Sequence, residues 1–136
     1  MNADQLRRLC LGMPGAFEDF PFGPETSVLK VRAVSTAGAP AKMFAAFRED
    51  SIPLTVSLKC DPTLAEQLRA AHPEIIPGYH LNKKHWNTVD CTGGLPEELI
   101  RDLIEDSYDL VVSGLPKSQQ EALEWRGLVA RGTESQ

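Results

Sequence analysis

The alternation of apolar and polar residues predicts three consecutive β-strands in the first half of the chain. Residues 28–33, 42–48 and 54–60 each place apolar side chains at every second position. The connections around residues 38–40 and 49–53 are rich in turn residues and short enough for hairpins. A pattern with one polar side is typical of an antiparallel sheet that is covered on one face only.

Apolar residues that recur about every 3.6 positions predict helices on either side of these strands. The opening helix is expected over residues 3–13, and a second helix begins at Asp61-Pro62, an N-cap followed by proline at the first helical position. The longest helix begins at Pro96 and ends at Gly114. A short last helix is expected over residues 118–129.

One more strand, residues 86–91, is predicted before the longest helix, whereas residues 17–23 are interpreted as a loop. The order α-β-β-β-α-β-α predicts an α+β fold: a single antiparallel sheet with helices packed on one face. The length favours one domain, residues 1–130, followed by a disordered tail over residues 131–136.

Composition predicts a soluble globular protein of the cytoplasm. With 42% hydrophobic and 24% charged residues, the chain has no apolar run near the roughly 20 residues that a membrane helix needs. Cys10, Cys60 and Cys91 are odd in number and lack a C-x-x-C pair, which is typical of buried free thiols in a reducing compartment.

The negative charge is concentrated in the longest helix. Residues 96–109 hold six acids against Arg101, a local net charge of −5 that equals the formal charge of the whole chain. Four of the acids form one stripe: Glu98, Asp102, Glu105 and Asp109. We expect a solvated helix face rather than a metal site, because no glycine-bearing loop organises the carboxylates.

The outward face of the three strands is predicted to be basic. If the alternation holds, five cations and one aromatic point away from the core, with no acid at those positions: Lys30, Arg32, Lys42, Arg48, Lys59 and Phe44. Such a face would attract a polyanion. The alternative is an ordinary solvated sheet face, and an error of one residue in register would move every side chain to the other side.

The segment from residue 79 to 87, here called the wing segment, combines cations, rings and amides without an acid. Its members are Tyr79, His80, Leu81, Asn82, Lys83, Lys84, His85, Trp86 and Asn87. These residue types bind phosphates and stack on bases. Alternatively, Trp86 and Tyr79 cover the edge of the core while the lysines are merely solvated.

Catalytic patterns are few. There is no H-E-x-x-H spacing, nucleophile elbow or phosphate-binding glycine loop. His80 or His85 could act as a general base oriented by Asp90, but no spacing indicates a substrate. We therefore expect no enzyme activity, no cofactor and no metal.

The chain resembles the MmcQ/YjbR-like family of small bacterial proteins over about residues 3–125. The resemblance rests on residues 18–23 (EDFPFG), 57–62 (SLKCDP), 77–87 (PGYHLNKKHWN) and the helix over 99–116. It implies a fold like that of bacterial frataxin, the CyaY-like fold, and DNA binding through a double-wing arrangement. It would place Lys59 and the wing segment from Asn82 to Asn87 at or near the binding surface.

These observations predict a protein that binds nucleic acid, most directly duplex DNA, through a basic and aromatic sheet-and-wing surface. The cations of the sheet face and of the wing segment would contact phosphates, and the rings of Tyr79, His80, His85 and Trp86 would stack. Asn82 and Asn87 would supply hydrogen bonds. The alternative is a protein-interaction module that docks through the same surface around Trp86, and the third candidate is a small anionic ligand binder or enzyme. No membrane association is expected.

Overall fold

A single antiparallel sheet of six strands organises the chain. The computed structural model describes residues 1–33, 38, 41–78 and 81–123. In chain order the elements are α1 (Ala3–Leu11), β1 (Ala16–Asp19), β2 (Thr26–Val31), β3 (Lys42–Arg48), β4 (Thr55–Lys59), α2 (Pro62–Ala71), β5 (Ile75–Pro77), β6 (Trp86–Asp90), α3 (Glu97–Ser113) and α4 (Lys117–Ala122). The strands lie in the order β1-β2-β3-β4-β6-β5. The predicted α+β class is confirmed.

The two strands that the sequence did not predict, β1 and β5, form the edges of the sheet. They have four and three residues, too few for alternation to show. β1 occupies part of the segment interpreted as a loop and pairs with β2. The observed order is therefore α-β-β-β-β-α-β-β-α-α rather than the predicted one.

The helix boundaries follow from local capping. The side chain of Asp61 accepts a hydrogen bond from the backbone N–H of Leu64, and Pro62 occupies the start of α2, as predicted. Asn2 forms a capping box with Gln5 at the start of α1. The predicted end of the last helix and the predicted tail lie outside the described residues.

The core lies between one face of the sheet and helices α1 and α3. Leu6 of α1, Ile104 of α3 and Val56 of β4 are fully buried in one cluster. Tyr108 of α3 packs edge-on against Phe44, with ring centroids 5.5 Å apart. Leu68 of α2 is partly buried against the same cluster. The face of the sheet turned away from α1 and α3 is here called the open face.

A β-bulge in β3 overturns part of the predicted alternation. Leu29 pairs with Ala45 but Lys30 pairs with Met43, so Phe44 is the extra residue. From Ala45 to Arg48 the predicted orientation holds. Before the bulge it is reversed: Phe44, expected outside, is fully buried, and Met43, expected in the core, lines a cavity on the open face.

Ser107 of α3 supplies hydrogen bonds at this bulge. Its buried hydroxyl donates to the carbonyl of Phe44 and accepts from the backbone N–H of Lys59 at 2.8 Å. An irregular strand inside a domain leaves backbone groups that need partners. The serine provides them and holds α3 against β3 and β4.

The acidic stripe of α3 is less solvated than predicted. Glu98 and Asp102 are exposed and Glu105 is half-buried, whereas Asp109 has no exposed surface. The helix packs against β2, β3 and β4 on the core side of the sheet. The helix that carries these acids therefore lies on the side opposite to the open face, as nucleic-acid binding on that face would require.

All three cysteines are free and buried, as predicted. Burial raises the pKa of the Cys10 and Cys91 thiols to about 12 and that of Cys60 to about 11. Within the described part of the chain, no helix has the length and apolar character needed to cross a membrane.

Candidate functional site

One row of cross-strand neighbours runs over the open face and has small side chains at its centre. From edge to edge it consists of Asp19, Val28, Ala46, Ser57, Thr88 and Ile76. Because Ala46 and Ser57 occupy the two central positions, the middle of this face is hollow.

The hollow is a cavity of about 460 Å³. Its floor includes Met43, Ala46 and Ser57, and its walls come from two loops: Phe22 follows β1 and Leu81 belongs to the wing segment. Phe22 is 72% exposed, so an aromatic side chain stands at the edge of an open hollow. No local sequence pattern indicates this cavity, because its walls are loops that meet only in the folded chain.

Two of the five cations predicted on the outward face are neutralised by acids. The ammonium group of Lys30 lies 2.8 Å from Asp19, and Arg48 lies 3.0 Å from Glu25 and 3.5 Å from Asp50. The three predicted strands carry no acid at these positions, but acids from other segments of the chain reach the face. β1, interpreted from sequence as a loop, brings Asp19 beside Lys30, where the ion pair and the backbone N–H of Phe20 lower the carboxyl pKa.

Two further cations are not available as predicted. The bulge turns Lys42 towards the core side, where its ammonium group donates to the carbonyl of Gly114 at the end of α3, 3.1 Å away. The guanidinium group of Arg32 lies over the ring of Phe17, 4.9 Å from its centroid. Of the five, only Lys59 makes no ion pair, ring contact or side-chain hydrogen bond to another described residue.

The described part of the wing segment is a compact turn before β6. The side-chain carbonyl of Asn82 accepts from the N–H of Lys84 at 2.8 Å, and its backbone carbonyl accepts from the N–H groups of His85 and Trp86. Arg69 of α2 donates to the carbonyl of Lys83 at 3.0 Å. Asn82 thus shapes the turn, and Arg69 attaches it to the body of the domain.

This turn places a small group of cations around one aromatic side chain. Trp86 is half-buried and pairs directly with Lys59 across β4 and β6. Lys83 and Lys84 are exposed and form no ion pair with another described residue. Lys59, Lys83, Lys84 and Trp86 are here called the basic patch. Since Trp86 and the cavity-lining Thr88 are two residues apart on one strand, the patch and the cavity share the open face.

The remaining predicted site residues have different outcomes. Asn87 is 2% exposed and faces the core beside Leu58, so its amide cannot reach a surface ligand. Strand alternation decides this, because Trp86 and Thr88 take the other face. His85 is half-buried beside the patch. Tyr79 and His80 lie outside the described residues.

Arg69 is a residue that the sequence interpretation missed. It lies in the last turn of α2, and its hydrogen bond brings a fourth cation to the base of the wing segment. Cations are common near the C-terminal end of a helix because they interact favourably with the helix dipole. The sequence therefore could not single out Arg69 as part of the site. Arg69, Asp61 and Asp106 all lie close enough to Cys60 to influence its pKa.

Groups suited to catalysis are not assembled in the described residues. The carboxylate of Asp90 accepts from the N–H and hydroxyl of Thr92 and makes no hydrogen bond to His85. The thiols are held protonated by burial and are poor nucleophiles. Among the described side chains, no three His, Cys, Asp or Glu residues converge on a point where a metal ion could bind.

Comparison with known proteins assigns the family. The sequence model of the YjbR family matches residues 11–110. The chain belongs to the YjbR family. It is 40% identical over 115 residues to the uncharacterized protein YbdF of Escherichia coli O157:H7, covering 84% of this chain and 87% of that protein. It is 35% identical over 123 residues to the uncharacterized protein YjbR of Escherichia coli strain K12, covering 90% and 98%.

Solved structures of the family share the fold. A Deinococcus radiodurans protein with the family domain DUF419 superimposes with a TM-score of 0.83 at 43% identity, over 93% of this chain and 91% of that one. A Pseudomonas syringae protein gives 0.68 at 28% identity, over 82% and 99%. These relatives confirm the family resemblance, while the likeness to frataxin and the nucleic-acid ligand stay predictions.

Proposed function

We propose that this YjbR-family protein binds nucleic acid, most directly duplex DNA, through the basic patch. The observation that carries the proposal is the exposure of Lys83 and Lys84, without ion pairs among the described residues, beside Trp86 and Lys59. Such lysines can neutralise phosphates, and the indole offers an apolar surface to a base or sugar. α3, which carries the exposed acids Glu98 and Asp102, packs on the other side of the sheet.

The proposed interface has fewer cations than the one predicted from sequence. The number of phosphate contacts determines how strongly its affinity depends on salt. Three lysines contacting three phosphates give a slope of log K against log salt of about −2.7 for duplex DNA. Affinity should therefore fall about 40-fold between about 50 and 200 mM salt. Phosphate contacts carry no base code, so we expect little sequence preference.

Fluorescence anisotropy with a labelled duplex tests the proposal. In Lys83→Ala/Lys84→Ala one contact is left, so the slope should shrink to about −0.9 and the salt dependence to about threefold. Arg101→Ala/Lys117→Ala is the matched control, because it removes two exposed cations from α3 and α4. It should keep the wild-type slope. No binding at low salt, or equal losses in the two double variants, would refute nucleic-acid binding at this patch.

A protein partner at the same surface is the second candidate, favoured by apolar exposure next to the patch. Ile76 of β5 is 50% exposed and shares the open face with Trp86. Exposed apolar and aromatic side chains of this kind anchor protein interfaces. A protein partner bound in this way should remain bound at high salt and be lost in Trp86→Ala. Nucleic-acid binding, by contrast, should weaken with salt and depend on Lys83 and Lys84.

We further propose binding without catalysis and a cytoplasmic location. Buried, protonated free thiols support both, because they are inert as nucleophiles and common in a reducing compartment.

A further inference from the structure

We propose that the cavity on the open face binds an uncharged, mainly apolar organic molecule that carries a hydrogen-bonding group. This site is separate from the basic patch and does not depend on nucleic-acid binding. It also differs from the small anionic ligand considered from sequence.

The size of the cavity suits a small molecule. Its volume of about 460 Å³ lies within the roughly 300–1,000 Å³ that is typical of ligand pockets. Small side chains at Ala46 and Ser57 open the floor, and Phe22 and Leu81 wall opposite sides. The hollow is therefore built by the fold and is not a gap between surface side chains.

The lining is apolar with a few hydroxyl groups. Ala46, Met43 and Phe47 supply apolar contact. The hydroxyls of Thr55 and Ser57 also line the cavity and make no hydrogen bond to another described residue. Each can donate or accept one from a ligand. An apolar body with a hydroxyl, carbonyl or amide group matches this arrangement.

Charge excludes an anion as the preferred ligand. Arg48 is the one charged side chain that the described residues contribute to the lining, and it is paired with both Glu25 and Asp50. The three groups together carry a net charge of −1. An anion would have to displace a carboxylate from Arg48, whereas a neutral molecule leaves both ion pairs intact.

Two dyes with the same rings test this inference. N-phenyl-naphthylamine is neutral, and anilinonaphthalene sulfonate adds one sulfonate group to the same skeleton. In fluorescence titrations of the full chain, the neutral dye should bind at one site, about tenfold or more tightly than the anionic dye. Ala46→Leu fills the floor and should weaken the neutral dye at least tenfold. Ala70→Leu is the matched control on the exposed side of α2 and should bind as the wild type does.

Glu25→Gln/Asp50→Asn provides a second test that leaves the core untouched. Both carboxylate side chains are 68% exposed and lie outside the core. Their removal leaves Arg48 without an ion pair at the cavity. The anionic dye should then bind at least as tightly as the neutral one. The inference is wrong if wild-type protein does not bind the neutral dye or binds both dyes equally. Equal binding by Ala46→Leu and Ala70→Leu, or an unchanged preference after Glu25→Gln/Asp50→Asn, would also overturn it.

Discussion

Ser107→Ala should destabilise the protein far more than its chemistry suggests, because one hydroxyl serves two backbone groups at the bulge. The serine has no exposed surface. Its oxygen donates to the Phe44 carbonyl and accepts from the Lys59 N–H. Alanine removes both hydrogen bonds and adds no clash.

The expected loss follows from the burial of the two backbone groups. A buried polar group left unpaired costs about 1–3 kcal/mol. The Phe44 bond is buried, whereas the Lys59 bond is only partly buried, so the two together should cost about 3 kcal/mol. That is a large part of the roughly 5–15 kcal/mol that stabilises a typical domain.

Urea unfolding followed by circular dichroism measures this loss. With an m-value of about 2 kcal/mol/M, the midpoint should fall by about 1.5 M. Ser113→Ala is the matched control on the same helix: its exposed hydroxyl donates only to the Leu110 carbonyl within α3, so the change should stay within about 0.5 kcal/mol. Equal midpoints for the two variants would show that Ser107 does not support the bulge.

Two further predictions concern the buried amide and the edge ion pair. Among the described residues, the side-chain oxygen of Asn87 is buried without a hydrogen-bond partner, so Asn87→Val should raise the free energy of unfolding by about 1 kcal/mol in urea titrations. A loss of that size would contradict this prediction. The pKa of Asp19 is lowered chiefly by its hydrogen bond to Lys30. This pair therefore stabilises the fold fully above the ordinary aspartate pKa of about 3.9 and is lost as the pH falls through the lower folded-state value. The carboxyl carbon signal of Asp19, followed by NMR, should titrate below that ordinary value and move towards it in Lys30→Met, and an unchanged midpoint would contradict the assignment.

Local sequence patterns predicted the helix and strand limits that depend on interactions between residues close in sequence. The Asp61-Pro62 start of α2, the Pro96 and Gly114 limits of α3 and the bounds of β3 all appear in the structure as expected. Capping, proline geometry and period-two alternation act over a few residues and can be recognised without a fold. The edge strands β1 and β5 were not recognised because they are short and are held by their neighbours.

The sequence shows which residue types the candidate site contains. It does not show which of the cations are already paired with acids. The sequence shows cations beside an aromatic ring in the wing segment, and in the structure Lys83 and Lys84 are exposed. The basic sheet face was mostly lost, because Asp19, Glu25 and Asp50 come from segments outside the predicted strands. Ion pairing depends on where loops return to the sheet, which local pattern does not specify.

The sequence by itself determined the α+β class, the start of α2, the limits of α3, the burial of the cysteines and the family. Tertiary structure alone decided which side of the sheet the first residues of β3 occupy. The extra residue Phe44 exchanges the faces that the side chains from Lys42 to Phe44 occupy. Side chains alternate along a strand, so a shift of one residue moves each of them to the other face. Packing against α3, through Ser107, stabilises this irregular arrangement. As a result Met43 lines the cavity and Lys42 reaches the end of α3. Ion pairs with acids from other segments occupy Lys30 and Arg48, so the basic patch consists of Lys59, Lys83 and Lys84 around Trp86.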